Sequence, residues 1–248
     1  MKLEIHAVND IGCSRTNNED MMSVGGILLR DASLELPVEI DDESDSYFYI
    51  LVSDGMGGHE KGEEASELLL KCISDSFMDG RISPENAEDS LRQLVSDVSC
   101  TLNMRGIEEN QERILGCTLT GVIWIGSRTY LVNAGDSRTY RLRNGILKQL
   151  TTDDTERGIT GDENASKLLL NAIGGGSHGR LTVEDITDRI MEGDTILVCS
   201  DGLTDMVDDE GIEEILCSNE RPAVSLVETA NRNGGADNIS VIVAHLEN

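Results

Sequence analysis

No apolar stretch in the sequence approaches the ~18 residues that a membrane-spanning helix needs, so no transmembrane span is expected. The opening MKLEIHAVND carries an acid at Glu4 and no apolar run, and it is not expected to be a secretory signal. There are only three prolines, no low-complexity linker and no internal repeat, which favours one domain. Six cysteines, at 13, 72, 100, 117, 199 and 217, form no C-x-x-C pair. They are expected to be buried free thiols in a reducing compartment, with the cytoplasm as the default location. Basic residues are scarce against their opposite: 20 Lys and Arg stand beside 47 Asp and Glu, a net charge of −27. That excludes bulk electrostatic attachment to nucleic acid or to an anionic membrane, so neither is an expected partner.

What is present suits a folded globular chain. The 248 residues are 38% hydrophobic and 27% charged, and a chain this long can bury a substantial core without disulfides. The acids have two readings, a solvated surface or a gathered cation site, and 47 of them leave room for both. The densest run, Glu39-Ile40-Asp41-Asp42-Glu43-Ser44-Asp45, reads as an exposed loop between strands.

Tyr47-Phe48-Tyr49-Ile50-Leu51-Val52 is aromatic and β-branched, a buried strand that ends at Asp54-Gly55. Residues 62–78 read as a helix whose early acids suit its N-terminus. Ser83-Pro84-Glu85 reads as the start of a second helix running to about 104. Short apolar runs at 119–125, 129–134, 138–142 and 146–150 read as an antiparallel meander, and Asn144-Gly145 is a strong hairpin signal. Strands are expected at 195–200 and 239–245, with helices at 209–217 and 221–232 between them. Strand, helix pair, many strands, helix pair, strand is not an alternating βαβ order. It points to the α+β class, antiparallel sheets covered by helices.

Several aspartates share one local pattern, the end of an apolar strand beside glycine or asparagine: Asp54, Asp136, Asp201 and Asp237, with Asp20 closing Asn17-Asn18-Glu19-Asp20. Any single Asp-Gly is ordinarily a turn. Several carboxylates converging at strand ends would repel unless a cation neutralised them. Oxygen ligands beside glycine carbonyls suit Mg²⁺, Mn²⁺ or Ca²⁺ rather than Zn²⁺. An EF-hand is excluded because the stretch from Asp201 to Asp205 lacks its spacing and closing acid. Gly55-Met56-Gly57-Gly58 lacks the Gly-Lys-Ser/Thr of a phosphate loop, and Gly174-Gly175-Gly176 reads as loop.

Six blocks taken in order resemble one family, the metal-dependent serine/threonine protein phosphatases of type 2C in their bacterial form. They begin with the run from Gly12 to Asp20, then Val52-Ser53-Asp54-Gly55-Met56-Gly57-Gly58-His59 with Gly62-Glu63 and Ala65-Ser66. Gly116-Cys117-Thr118-Leu119, Asn133-Ala134-Gly135-Asp136-Ser137-Arg138, Ser200-Asp201-Gly202-Leu203-Thr204-Asp205 and Gly235-Ala236-Asp237-Asn238-Ile239-Ser240 complete the set. The resemblance implies a four-layer α/β/β/α sandwich, two antiparallel sheets flanked by helix pairs, in a single phosphatase domain over 1–248. It implies two Mn²⁺ or Mg²⁺ ions, with Asp54 bridging both, the Gly55 carbonyl on one, and Asp201 and Asp237 on the other. Asp20 would ligate an ion or orient its water, with Glu19 a weaker candidate. Asp136 and Asp205 match positions for a third ion. Arg15 would grip the substrate phosphate, a role its guanidinium fork suits. A hydroxide bridging the two ions would then hydrolyse phosphoserine and phosphothreonine in proteins, the targets of a serine/threonine kinase, with the chain acting as a monomer.

The sequence departs from the family pattern in two places. Met56 stands where some relatives have a histidine proposed as general acid, and nearby His59 reads as structural or solvent-facing. The segment around 152–176 is a shortened flap and lacks the usual His-Pro. The alternative function is a catalytically silent sensing or binding module on the same fold, which would be expected to have lost ligand aspartates that are all present here. A structural Ca²⁺ or Mg²⁺ binder accounts for the acids but not for Arg15 or the glycines.

Overall fold

The computed structural model describes residues 1–248 except 41–45, 58–60, 109–114, 163, 177 and 248. In chain order the first elements are β1 (Lys2–Asp10), β2 (Met21–Val24), β3 (Ile27–Leu29), β4 (Ser33–Glu39), β5 (Tyr47–Ser53), β6 (Gly55–Met56), α1 (Gly62–Met78) and α2 (Ala87–Glu108). There follow β7 (Gly116–Cys117), β8 (Leu119–Ile125), β9 (Arg128–Ala134), β10 (Arg138–Arg143), β11 (Ile146–Gln149), α3 (Glu156–Thr160), β12 (Ile173–Gly174) and β13 (Thr182–Asp185). The chain closes with β14 (Thr195–Cys199), α4 (Asp201–Thr204), α5 (Asp209–Ser218), α6 (Pro222–Arg232) and β15 (Ile239–Glu247).

Two six-stranded sheets carry the fold, in the orders β11-β10-β14-β15-β1-β4 and β13-β9-β8-β5-β2-β3, and all their pairings are antiparallel. They stack face to face. Ile50, Val52, Val122 and Trp124 of the second sheet share a core with Ile5, Ile196, Val198 and Ile242 of the first. Alternate residues point the other way. Tyr49, Leu51 and Ile123 meet Leu69, Leu70 and Ile73 of α1 and Leu91 and Val95 of α2. On the opposite outer face, Leu197, Val241 and Val243 meet Ile212 of α5 and Leu226 and Ala230 of α6. The result is the expected α/β/β/α sandwich. Strands buried on both faces read as continuous apolar runs, which is why β5 and β8 stood out in the sequence. Each such Ile, Leu or Val contributes about 1.5–3 kcal/mol on burial.

Three expectations need correction. The second helix begins at Ala87, not at Ser83, because the Asn86 side chain accepts the Ser83 N–H (2.8 Å) and folds 84–86 into a turn. The meander is two hairpins in different sheets: β8–β9 in one, β10–β11 in the other. Asn144 (φ 52°) and Gly145 (φ 76°) make the second hairpin's two-residue turn, as expected. The crossing between sheets is Gly135-Asp136-Ser137, where Gly135 has φ 113° and a Cβ would lie 2.6 Å from Thr118 Cγ2. The cysteines are unpaired, but only Cys117 and Cys199 are buried; Cys13, Cys100 and Cys217 are exposed. The first lies in a loop and the others on helix positions turned from the core. Most of the acidic run, including Asp42, falls outside the described residues. Among those described, no helix is long and apolar enough to cross a membrane.

Candidate active site

The chain crossing between sheets, the ends of β5 and β14 and the start of β15 all reach the same end of the sandwich. Arg15, Asp54, Gly55, Asp136, Asp201 and Asp237 therefore line one cavity of about 330 Å³. They come from five loops or element ends far apart in sequence, so the convergence is a product of the fold.

Backbone-directed bonds hold Asp54 and the loop that carries Arg15. Asp54 follows β5, and its N–H donates to Thr118 Oγ1 (3.0 Å) while the Thr118 N–H donates to the Asp54 carbonyl (2.8 Å). Thr118 Oγ1 also pairs with Ser137 Oγ (2.8 Å), next to Asp136. Gly55 allows a close approach: a Cβ there would lie 2.1 Å from the Gly62 carbonyl oxygen and 2.6 Å from that of Glu19. Asn238 pins the Arg15 loop to the start of β15. Its Oδ1 accepts the Glu19 N–H (2.9 Å), and its Nδ2 donates to the carbonyls of Ile11 (2.9 Å) and Asn17 (3.0 Å). Asp201 starts α4 directly after Ser200.

Asp20 lies behind the cavity rather than on its wall. It is 1% exposed, and its Oδ2 accepts hydroxyls from Ser200 (2.8 Å) and Ser240 (2.7 Å). Ser240 Oγ in turn accepts from Asn9 Nδ2 (2.7 Å). These polar partners were not singled out by sequence reasoning. Ser200 and Ser240 lie within the blocks that carry Asp201 and Asp237, and Asn9 lies in neither.

The electrostatics are those of crowded carboxylates. Burial, then repulsion by Asp20, Asp201 and Asp237, pushes Asp54 well above the usual carboxylate range. Burial raises Asp20 to about 7, against the lowering effect of its two serine hydroxyls. Burial followed by Asp201 raises Asp136 to about 7, and burial followed by Asp237 and Asp205 raises Asp201 to about 6. Burial also raises Glu19. Asp201 Oδ1 is buried with no hydrogen-bond donor; the Asp54 carboxyl beside it can relieve it only by keeping a proton. Arg15 Nη2 donates to Asp237 Oδ2 (2.6 Å), and this bond is the main cause that raises the guanidinium's pKa.

Asp205 is set apart. It lines an adjoining cavity of about 220 Å³ with Asp136 and Asp201, and its Oδ1 accepts from Lys167 Nζ (2.7 Å). Among the described residues, no group of three or more His, Cys, Asp and Glu side chains forms a ready metal-ligand set. Carboxylates this repulsive need a cation or retained protons to approach closely. The donor chemistry nevertheless fits a hard divalent ion: the clustered carboxylates offer oxygens, one buried Asp201 oxygen lacks a donor, and Gly55 lines the same cavity with its backbone. Met56 borders the cavity, while His59 lies outside the described residues.

The α/β/β/α sandwich carries an acid-lined cavity with Arg15 on its wall at one end, and comparison with known proteins identifies the class. Residues 24–224 match the protein phosphatase 2C family model. The serine/threonine phosphatase stp of Listeria monocytogenes is 33% identical over 82% of this chain and 86% of its own length. The serine/threonine protein phosphatase PstP of Mycobacterium tuberculosis is 35% identical over 98% of this chain, which spans 45% of that longer protein. The crystal structure of Mycobacterium tuberculosis PstP/Ppp matches with a TM-score of 0.74 at 32% identity, covering all of both chains. A PstP catalytic domain in complex with two manganese ions matches at 0.75 and 33% identity, over 99% of this chain and 100% of that one. The chain belongs to the protein phosphatase 2C family, a family of protein serine/threonine phosphatases.

Proposed function

We propose that the cavity is a centre for two Mn²⁺ or Mg²⁺ ions that hydrolyses phosphoserine and phosphothreonine in proteins. The observation that carries it is the meeting of Asp54, Gly55, Asp201, Asp237 and Arg15 in one cavity, with a buried Asp201 oxygen lacking a donor. Asp54 and the Gly55 carbonyl would hold one ion, and Asp54, Asp201 and Asp237 the other. Asp20 supports the cluster from behind, fixed by Ser200 and Ser240. When bound, the ions supply the positive charge that activates water and stabilises the phosphoryl oxygens in an in-line displacement.

The chain's own groups do the rest. Arg15 stands on the cavity wall with half its side chain exposed, able to turn from Asp237 to a phosphate. Its fork matches two phosphate oxygens, and a charged pair there stabilises the transferring group. Asn238 and Thr118 keep the Arg15 loop and Asp54 in register. No cysteine is needed: burial raises Cys117 and Cys199 to about 12, far from thiolate chemistry at neutral pH. On this reading residues 1–248 are one phosphatase domain with a short flap at 152–176, acting as a monomer on kinase-modified proteins.

The test is hydrolysis of an aryl phosphate by the purified chain with Mn²⁺, Mg²⁺ or Ca²⁺, with and without EDTA. Turnover that needs Mn²⁺ or Mg²⁺ and stops with EDTA is expected. Full activity in the chelated, metal-free protein would overturn the proposal.

A further inference from the structure

The flap that starts after β11 is tied at both ends. The Asp153 carboxylate accepts from Arg138 Nε (2.9 Å) and Nη2 (2.7 Å). Asp154 exchanges backbone and side-chain bonds with Gly135: its N–H donates to the Gly135 carbonyl (2.9 Å), and its Oδ2 accepts the Gly135 N–H (2.9 Å). The same Oδ2 accepts from Asn171 Nδ2 (2.7 Å), and the Asp154 carbonyl accepts the Leu170 N–H (2.8 Å). Asp154 thus joins the two ends of the flap to the turn that carries Asp136. Between these ties α3 has no buried residue, and Ile159, Leu168 and Leu170 are exposed. The segment is ordered by polar ties rather than by a core of its own.

Lys167 belongs to this tied segment, and its ammonium lies on Asp205 in the cavity that Asp205 shares with Asp136 and Asp201. An exposed lysine–aspartate pair is ordinarily worth little, because ordering two long side chains offsets the attraction. Here the clamps order the backbone that carries the lysine, which removes part of that cost. Of the other cations in the cavity, Arg138 is bound to Asp153, and Arg157 Nε is buried without a partner. Among the described residues, Lys167 is the cation paired with Asp205, one of the two expected third-ion carboxylates.

We propose that Lys167 is a built-in cation for the Asp136–Asp205 position, where its ammonium competes with a third divalent ion. The inference rests on the metal-centre reading above and concerns this chain's own lysine. A third ion would have to displace the Lys167 ammonium from Asp205, while the Asp153 and Asp154 ties keep the backbone of the segment in place.

The test is calorimetric titration of the full chain with Mn²⁺ alone, for the wild type, Lys167→Met, Lys167→Arg and the double variant Lys167→Met with Asp205→Asn. The ion must break an exposed lysine–aspartate pair, which weakens its binding by up to about fivefold, the more so because the backbone carrying the lysine is tied. Lys167→Met is therefore expected to tighten the weakest Mn²⁺ event by about two- to fivefold. Lys167→Arg should stay near the wild type because it keeps the charge, and Asp205→Asn should cancel the gain. Equal third-ion affinity in wild type and Lys167→Met, or Lys167→Arg as tight as Lys167→Met, would overturn the inference. A wild type that binds no Mn²⁺ at all would instead overturn the metal centre itself, and this inference with it.

Discussion

Buried carboxylates make the stability of the metal-free protein depend on pH in an unusual direction. Asp20 is held at about 7 in the folded chain, against roughly 3.9 when unfolded. The folded state therefore binds this proton more tightly than the unfolded state does. Its stabilising effect is complete below about pH 4 and is lost as pH rises through about 7. That gap corresponds to about 4 kcal/mol, and Asp136 and Asp201, at about 7 and about 6, act in the same direction. The three share neighbours and do not add independently, so the combined loss is expected to be on the order of several kcal/mol. That is a large share of a typical 5–15 kcal/mol stability. Opposing groups act in another window: Glu67, lowered mainly by Lys71, gains its contribution as pH rises and has finished by about pH 5. The assay is urea unfolding at pH 4.5, 5.5, 6.5 and 7.5, in EDTA and again in MnCl₂. In EDTA, stability should fall between pH 5 and 7.5. In Mn²⁺ the fall should shrink or reverse, since a ligand at 100 times its Kd adds about 2.7 kcal/mol. Asp20→Asn, which keeps the shape and loses the charge, should flatten the EDTA curve between about pH 4.5 and 7 and so leave the variant more stable than the wild type at pH 7.5. Stability in EDTA that stays level or rises from pH 5.5 to 7.5 would refute the reasoning.

Arg15→Ala should lower kcat/KM for a phosphothreonine peptide by about 10- to 150-fold, the loss of ~1.5–3 kcal/mol from a charged hydrogen bond, while Mn²⁺ affinity by calorimetry is unchanged or tighter, because the guanidinium that pairs with Asp237 is gone. Lysine at 15 should rescue only part of it, because a point charge cannot replace the fork. Gly55→Ala should abolish turnover or destabilise the fold, because its methyl would lie 2.1 Å from the Gly62 carbonyl oxygen; a variant with normal melting temperature and full activity would contradict that packing. Cys→Ser at each of the six positions should leave metal-dependent turnover in place, with melting temperature lowered only at buried Cys117 and Cys199, and a phosphocysteine trapped in mass spectrometry would contradict this.

Helix α1 was legible residue for residue, since its apolar rows at Ala65, Leu69, Leu70 and Ile73 repeat at helical spacing behind two acids. The Asn144-Gly145 hairpin was equally plain. The sorting of hairpins into sheets was not, because it is decided at Gly135 by a backbone angle and by packing against Thr118. β4 alternates as SLELPVE with half-buried Leu34, Leu36 and Val38, but Pro37 and the neighbouring acids masked it, and its edge position is what tolerates the proline. β1 also went unassigned, although its even alternation is that of a strand covered on one face. At the site, the strand-end aspartates were visible as a repeated local pattern, and the fold brings five of the expected residues, with Asp136, to one cavity. That Asp20 lies behind that wall, held by Ser200 and Ser240, follows from contacts between residues about 180 and 220 positions apart, which no local pattern records.

The central claim is that turnover depends on divalent ions held by the strand-end aspartates. Its most direct test is release of inorganic phosphate from a phosphothreonine peptide by wild type and Asp54→Asn, each with Mn²⁺ and with EDTA. The account predicts hydrolysis by the wild type with Mn²⁺, none with EDTA, and almost none by Asp54→Asn in either condition. Hydrolysis by the wild type in EDTA, or by Asp54→Asn at the wild-type rate, would contradict it.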